Sequence, residues 1–524
     1  MKSAVRLSAV VTILLAIMLI VALHAQADRA TACAGLAQQQ LPNTTIASAQ
    51  AITTGSFTPP GSTNAMTNLP PFCRVAGTIA PTSESQILFE VWLPLDNWNG
   101  KFAGVGNGGW AGVISYGQIR DQLRRGYAAA STNTGHQAGP QLDAAKFAFD
   151  HPEQLIDFAY RAHHETTMKA KALVSAFYGK SAEKSYWFGC SSGGYEGLQE
   201  AQRFPTDYDA ILAAAPANNF TNLMAGDFDA TLAVLKDPAS NLPASAVGVL
   251  YRGMLAACDA SDGVSDGVVE DPRRCRFDPA TLQCTGNLKA DDTCLSAAQV
   301  EASRRVYRGA VDPKNGAKIY PGLSVGSEPF WPNRDPGDPF PISISYYKWL
   351  VFGDPQWDWK SFDWSRPSDH DAWSKAEAKF APIMNATNPD LREFSKRGGK
   401  LLQWHGWSDQ LIAAENSIDY YESVVKLFGS HASVDNFYRL FMAPGTTHCG
   451  GGPGPSSFDM QSALETWVEK GIPPERIIAT RVTNGVVDRL RPLCPYPKVA
   501  TYKGKGDTND ASSFECLDPG SGIR

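Results

Sequence analysis

The sequence predicts an α/β chain: a mostly parallel sheet flanked by helices and interrupted by one large insertion. Three observations predict it. From about residue 75 to 218, short apolar runs alternate with longer helical patterns. From about 219 to 385 that alternation gives way to a stretch rich in Pro, Asp, Gly and Trp that holds four cysteines. The alternation then resumes at 400–404, 417–427 and 438–442. Strands that alternate with helices call for a parallel sheet covered on both faces. A return to the same pattern fits one interrupted sheet better than three separate domains.

The elements follow in order. Residues 1–27 read as a secretory signal, with Lys2 and Arg6 at the charged start, an apolar run over 9–23, and the small-residue site Ala25-Gln26-Ala27. The first part of the sheet domain occupies 28–218, with strands expected at 86–93, 101–105, 127–131, 185–188 and 210–215 and helices over 157–178 and 195–203. The insertion spans 219–385, and the second part of the sheet domain spans 386–524. Aromatics of the insertion, among them Trp331, Tyr346, Tyr347, Trp349 and Trp364, are expected to build a minor core, with one or two facing a ligand.

Composition narrows the function classes. The chain has 524 residues, 43% apolar and 19% charged, with a net charge of −6, which supports large cores and offers no basic stripe for nucleic acid. No stretch after the signal is apolar enough to span a bilayer. The protein is therefore expected to be secreted or periplasmic. All ten cysteines follow the signal, and an even count in an exported chain favours full pairing. The count alone does not fix connectivity. Short separations favour Cys258–Cys275, Cys284–Cys294 and Cys494–Cys516, while Cys33–Cys73 ties down the N-terminal segment. Cys190 and Cys449 are left over.

The strongest chemical signal is Gly189-Cys190-Ser191-Ser192-Gly193-Gly194, directly after the apolar Tyr186-Trp187-Phe188. It is a G-x-S-x-G turn with a strand before it and a helix after it. Such a turn lifts a serine hydroxyl clear of the sheet and leaves no room for Cβ atoms nearby. Ser191 is the expected nucleophile, and the Ser192 N–H an expected oxyanion donor. A serine needs a base, and the base an orienting carboxylate, in the chain order Ser, acid, His. His448, in Thr446-Thr447-His448-Cys449, follows the last expected strand and is the expected base. Asp409, after the strand 400–404, is the expected acid, with His405 packed beside it. His431 sits in a polar turn.

The leftover cysteines gain meaning from this placement. Cys190 precedes the expected nucleophile and Cys449 follows the expected base, so contact between Ser191 and His448 brings the two sulfurs within disulfide reach. The second oxyanion donor is expected from the Gly-rich loop 104–110, at Gly108 or, close behind, Gly109. A further loop, Cys258-Asp259-Ala260-Ser261-Asp262-Gly263-Val264-Ser265-Asp266-Gly267-Val268, clusters three aspartates between glycines, the kind of segment that supplies hard oxygen ligands to structural Ca²⁺. It does not follow the EF-hand spacing.

With these motifs together, the chain resembles the tannase and feruloyl esterase family of α/β-hydrolases over nearly all of the mature sequence. The resemblance rests on Gly104–Gly109, Gly189–Gly194, Asp259–Val268, Trp404–Asp409 and Thr447-His448-Cys449. It implies the α/β-hydrolase fold with a large inserted lid domain over 219–385, and a triad of Ser191, Asp409 and His448 bridged by a Cys190–Cys449 bond. It also implies calcium held by the side chains of Asp259, Asp262 and Asp266 and the carbonyls of Val264 and Val268. Members cleave feruloyl and other hydroxycinnamoyl esters, galloyl esters in tannins or, in one branch, mono(2-hydroxyethyl) terephthalate. That last branch carries a lid arginine where this chain has Tyr347, so feruloyl esters rank first. Arg334 or Arg366 approaching from elsewhere is the alternative. Trp110, Tyr347 and Ile412 are the expected pocket-wall residues, and the expected partner is a small aromatic ester or a feruloylated polysaccharide fragment. A non-catalytic polyphenol- or carbohydrate-binding protein on this fold predicts a missing triad member, and none is missing.

Overall fold

The computed structural model describes residues 29–286, 290–291, 293–331 and 339–519. The expected signal, residues 1–27, and Arg334 lie outside the described residues. Among the described residues no helix is long and apolar enough to cross a membrane. The chain divides into two compact units.

The first unit comprises 29–105, 113–136 and 161–186. Its strands run in the order Thr44–Ile52, Phe72–Ile79, Ile87–Pro94, Ala128–Thr132 and Lys101–Val105. The first four pair antiparallel, and only Lys101–Val105 and Ala128–Thr132 run parallel. The strand at Ile87–Pro94 is almost fully buried, which matches its run of large apolar residues. Thr44–Ile52 is only partly buried and its apolar residues are mostly alanines, so its alternation is a weak sequence signal. The Cys33–Cys73 bond anchors the N-terminal segment to Phe72–Ile79.

The second unit comprises 106–112, 137–160 and 187–519. The strand Lys184–Cys190 carries the chain into it, followed in sheet order by Ala210–Ala214, Lys400–Gly406 and Tyr438–Ala443. Ala210–Ala214 and Tyr438–Ala443 flank Lys400–Gly406 in parallel, with Trp404 opposite both Ala214 and Phe441. The helices Ser192–Arg203 and Glu415–Phe428 agree with the expected ones to within three residues. The C-terminal hairpin Ile477–Thr483 with Val486–Leu493 has its tip at Asn484-Gly485, and the sequence reading did not single it out.

The segment 219–385 belongs to this second unit and is mainly helical, with Phe220–Leu235, Ala244–Cys258, Ala297–Arg308 and Pro367–Met384. Its core gathers Leu242, Val249, Leu250, Leu295, Val300 and Trp331. Four bonds, Cys190–Cys449, Cys258–Cys275, Cys284–Cys294 and Cys494–Cys516, lie in this unit. With Cys33–Cys73, all ten cysteines are paired as expected.

Candidate active site

Ser191 sits between the strand Lys184–Cys190 and the helix Ser192–Arg203 with φ 64° and ψ −124°. A residue bearing a Cβ holds such a conformation at a cost of about 1–3 kcal/mol, and only when its surroundings enforce it. They do here. The Ser191 N–H donates to the Ala214 carbonyl at 2.9 Å, and the Ser191 carbonyl accepts from Tyr195 at 3.0 Å and Ala217 at 3.2 Å. Glycine is required around the turn: a Cβ on Gly189 falls 2.2 Å from the Gly193 carbonyl oxygen.

The Gly-rich loop is fastened to this elbow. Gly106 donates to the Phe188 carbonyl at 3.0 Å, and Gly193 donates to the Asn107 carbonyl at 2.8 Å. The Asn107 N–H donates to the Glu196 carboxylate at 3.0 Å, and the Ser192 hydroxyl donates to the Gly109 carbonyl at 2.6 Å. Among the described residues, the backbone N–H groups of Gly108, Gly109 and Ser192 make no hydrogen bond to another backbone group. Gly109 and Ser192 line the cavity at Ser191.

Asp409 is buried beyond the end of Lys400–Gly406 and gathers four donors. Its Oδ1 accepts from the Leu411 and Ile412 N–H groups at 2.9 and 3.0 Å, and its Oδ2 faces His448 Nδ1 at 2.8 Å and His405 Nε2 at 3.1 Å. Burial alone pushes this carboxyl up, but the charge of His448 and the hydrogen bonds from His405 and His448 outweigh it and hold it well below the usual carboxylate range. The polar chain behind fixes His405. His405 Nε2 faces two acceptors, Asp409 Oδ2 and the Ile412 carbonyl, at 3.1 Å each, so its Nδ1 accepts from the Ser417 hydroxyl at 2.7 Å, and Ser417 Oγ accepts in turn from the Gln403 amide at 2.6 Å. This assigns the His405 proton to Nε2, where it points at Asp409. The same logic puts the His448 proton on Nδ1 and leaves Nε2 as an acceptor. His448 is largely buried, with 12% of its side chain exposed, and its N–H donates to the Gln410 side chain at 3.2 Å.

A disulfide joins the elbow to the His448 loop. Cys190 and Cys449 are bonded with their Cα atoms 5.9 Å apart, so the residue before Ser191 and the residue after His448 are held side by side.

The pocket wall is apolar. Ile412 lines the cavity, joined by Phe220, Leu223, Met224, Phe340 and Ile342 from the insertion. Trp110 stands behind this wall: it is buried, stacks edge-on against Phe220 at 5.0 Å, and donates from its indole to the Ile342 carbonyl. Tyr347 does not line the cavity. It is fully buried among Phe228, Trp357 and Phe362, because an aromatic at that point completes a cluster within the insertion. Arg366 is half-exposed and paired with Asp369. The insertion helix facing Ser191 carries a signal the sequence reading passed over: Phe220, Leu223, Met224 and Asp227 recur at i, i+3, i+4 and i+7.

The aspartate loop forms a separate cluster. Asp259 Oδ1 accepts from the Asp266 and Gly267 N–H groups at 3.1 and 2.8 Å, and Asp262 accepts from Val264 at 3.0 Å and Glu270 at 3.1 Å. Among the described residues, the carbonyls of Val264 and Val268 accept no backbone hydrogen bond. Asp266 is shared with Arg489 and Arg491.

The chain matches the family described as tannase and feruloyl esterase over residues 73–338 and 343–517. It belongs to that family. This carboxylic ester hydrolase is 37% identical to an uncharacterized esterase of Xanthomonas campestris, a match that covers 95% of this chain and 93% of the other. It is 35% identical to a probable feruloyl esterase B-2 of Aspergillus terreus, with 85% and 86% covered. Crystallographic feruloyl esterase B from Aspergillus oryzae superposes with a TM-score of 0.87 at 30% identity, over 93% of this chain and 100% of that one. The tannin acyl hydrolase of Aspergillus niger shares the fold, with a TM-score of 0.75 at 23% identity over 92% of each chain. The esterase thus has the α/β-hydrolase fold that its sequence implied.

Proposed function

We propose that the esterase cleaves aromatic acid esters, feruloyl and other hydroxycinnamoyl esters first, through a covalent acyl-enzyme. The observation that carries this reading is the strained Ser191 elbow, tied by Cys190–Cys449 to a histidine already oriented by a buried carboxylate. His448 Nε2 takes the proton of the Ser191 hydroxyl as Oγ attacks the ester carbonyl. The N–H groups of Ser192 and Gly108, with Gly109 beside them, stabilise the oxyanion. The protonated His448 then gives its proton to the departing alcohol, leaving an aroyl-Ser191 ester. Water attacks that ester with His448 again as base, and the aromatic acid leaves. Asp409 holds the tautomer of His448 and favours its charged form, and His405 holds Asp409.

The apolar wall of Phe220, Leu223, Met224, Phe340 and Ile412 suits a flat aromatic acyl group. Among the described residues lining it there is no arginine or lysine, which favours a neutral phenolic acyl group over a terephthalate monoester, whose free carboxylate needs a cation once desolvated. The second reading is a tannase acting on galloyl esters. Comparison of kcat/KM for methyl ferulate, methyl gallate and mono(2-hydroxyethyl) terephthalate tests the order. A terephthalate monoester turned over faster than methyl ferulate overturns it.

Secretion is part of this reading: a cleaved signal over 1–27 delivers the chain to an oxidising compartment, where five disulfides persist. So is the segment 219–385 acting as a lid domain over the pocket. A structural calcium at Asp259, Asp262 and Asp266 with the Val264 and Val268 carbonyls completes it. The donor set fits a hard cation, being all oxygen, with two carbonyls not engaged by any backbone donor and three carboxylates, one of them shared with arginines. Bound there, calcium would brace the insertion.

In the metal-free protein, burial pushes the Asp262 carboxyl up to about 6 and the Glu270 carboxyl beside it up to about 8. Folded-state values above the unfolded ones stabilise the protonated, low-pH protein. That contribution is lost as pH rises through about 6 and then 8. Calcium binds the ionised forms. The Tm gained on replacing chelator with calcium should therefore be larger at pH 8 than at pH 5, and an equal shift at both refutes the site.

A further inference from the structure

The helix Phe220–Leu235 turns Phe220, Leu223, Met224 and Asp227 to the Ser191 pocket. Three of the four are apolar. Among the described residues lining that pocket, Asp227 alone carries an ionisable side chain. Its Oδ2 is sealed from solvent and has no hydrogen-bond partner. The same carboxyl borders a second cavity, on which Tyr320 presents an Oη that is likewise buried and unpartnered. Tyr320 packs against the helix at Gly226, where a Cβ would fall 2.6 Å from its ring.

A buried polar group without a partner is costly, and native structures keep few of them. The reaction proposed above does not use this one: Asp409 already orients His448, and the oxyanion is met by backbone N–H groups. Burial, and after it the charge of Asp409, push the Asp227 carboxyl well above the usual range. That shift favours the neutral carboxylic acid, a group able both to donate and to accept. A phenol has the same double capacity. An anionic substituent does not suit the position, because Asp409 already places negative charge nearby.

We propose that Asp227 selects the acyl group by hydrogen-bonding the phenolic hydroxyl of its aromatic ring, while Phe220, Leu223 and Met224 cover the ring. This rests on the aromatic-acyl reading above and adds the residue that reads the ring. A site built to pair a substrate hydroxyl discriminates against the analogue that lacks it, because its own polar group is then left unpaired.

Methyl 4-hydroxycinnamate and methyl cinnamate differ only in that hydroxyl, so the ratio of their kcat/KM values reads the contact. The wild-type esterase should favour the hydroxylated ester by about tenfold or more. Asp227→Leu should bring the ratio close to one, and Asp227→Asn, which keeps size and polarity, should retain part of it. Where Asp227→Leu does not fold, Asp227→Asn and the affinity of the two free acids for Ser191→Ala, with and without Asp227→Asn, give the same readout. A wild-type ratio above ten that survives in both Asp227 variants overturns this inference and leaves the aromatic-acyl reading intact. A wild type that turns over neither cinnamate overturns both. Equal losses on both esters, with the ratio unchanged, show a merely structural carboxyl and also overturn it.

Discussion

Ser191→Ala should abolish ester hydrolysis, lowering kcat on methyl ferulate by on the order of 10⁴-fold or more. The proposed covalent route begins at Oγ, and nothing else at the elbow replaces it: the hydroxyl of Ser192 is committed to the Gly109 carbonyl. The variant should fold normally, because losing the hydroxyl alone keeps the Cβ and the φ of 64° that the surrounding hydrogen bonds already enforce. Serine-directed phosphonates should label the wild type at Ser191 and leave the variant unlabelled. Residual turnover of purified Ser191→Ala above roughly a hundredth of wild type would sink the assignment of the nucleophile.

Removing the bond between Cys190 and Cys449 should cost both stability and rate. The two cysteines are separated by 259 residues, so the loop they close is the longest of the five disulfide loops. The chain-entropy argument puts the lost stabilisation at up to about 5 kcal/mol, less whatever structure the unfolded chain retains. The double variant Cys190→Ala with Cys449→Ala should melt several degrees lower. Its kcat should also fall, because His448 sits on a loop whose register against Ser191 is held by that clasp, and small errors in a proton-transfer distance are expensive. A variant with unchanged kcat well below its melting point would show that the sheet and loops hold the geometry without sulfur.

The parts of the molecule legible in the sequence are those in which a local pattern carries the physics. The elbow is legible because glycines at 189 and 193 answer a steric demand within one turn. The parallel strand Ala210–Ala214 is legible because burial on both faces makes it continuously apolar, and Lys400–Gly406 because Leu401, Leu402 and Trp404 give it a short buried run. The role of His405 beside Asp409 is legible from its place at the end of that strand. Thr44–Ile52 was not, because a half-exposed strand built mostly of alanines and small polar residues has a weak apolar signature and is held by antiparallel pairing to Phe72–Ile79. Tyr347 shows the other limit: its residue type suits a pocket wall or an aromatic core equally well. Three-dimensional neighbours send it to the core. The actual wall came from Phe220, Leu223 and Met224, whose spacing was visible but whose orientation depends on how the insertion folds back.

That origin of the wall has a consequence for how such enzymes change. In the proposed mechanism the groups that make and break the ester bond stand on turns at the ends of Lys184–Cys190, Lys400–Gly406 and Tyr438–Ala443, whereas the side chains proposed to face the ring stand on Phe220–Leu235. On that reading, bond cleavage and acyl preference are written on different stretches of chain. A helix face can be rewritten, residue by residue, while the proton relay stays as it is, so new preferences are within reach of a few substitutions at 220, 223, 224 and 227.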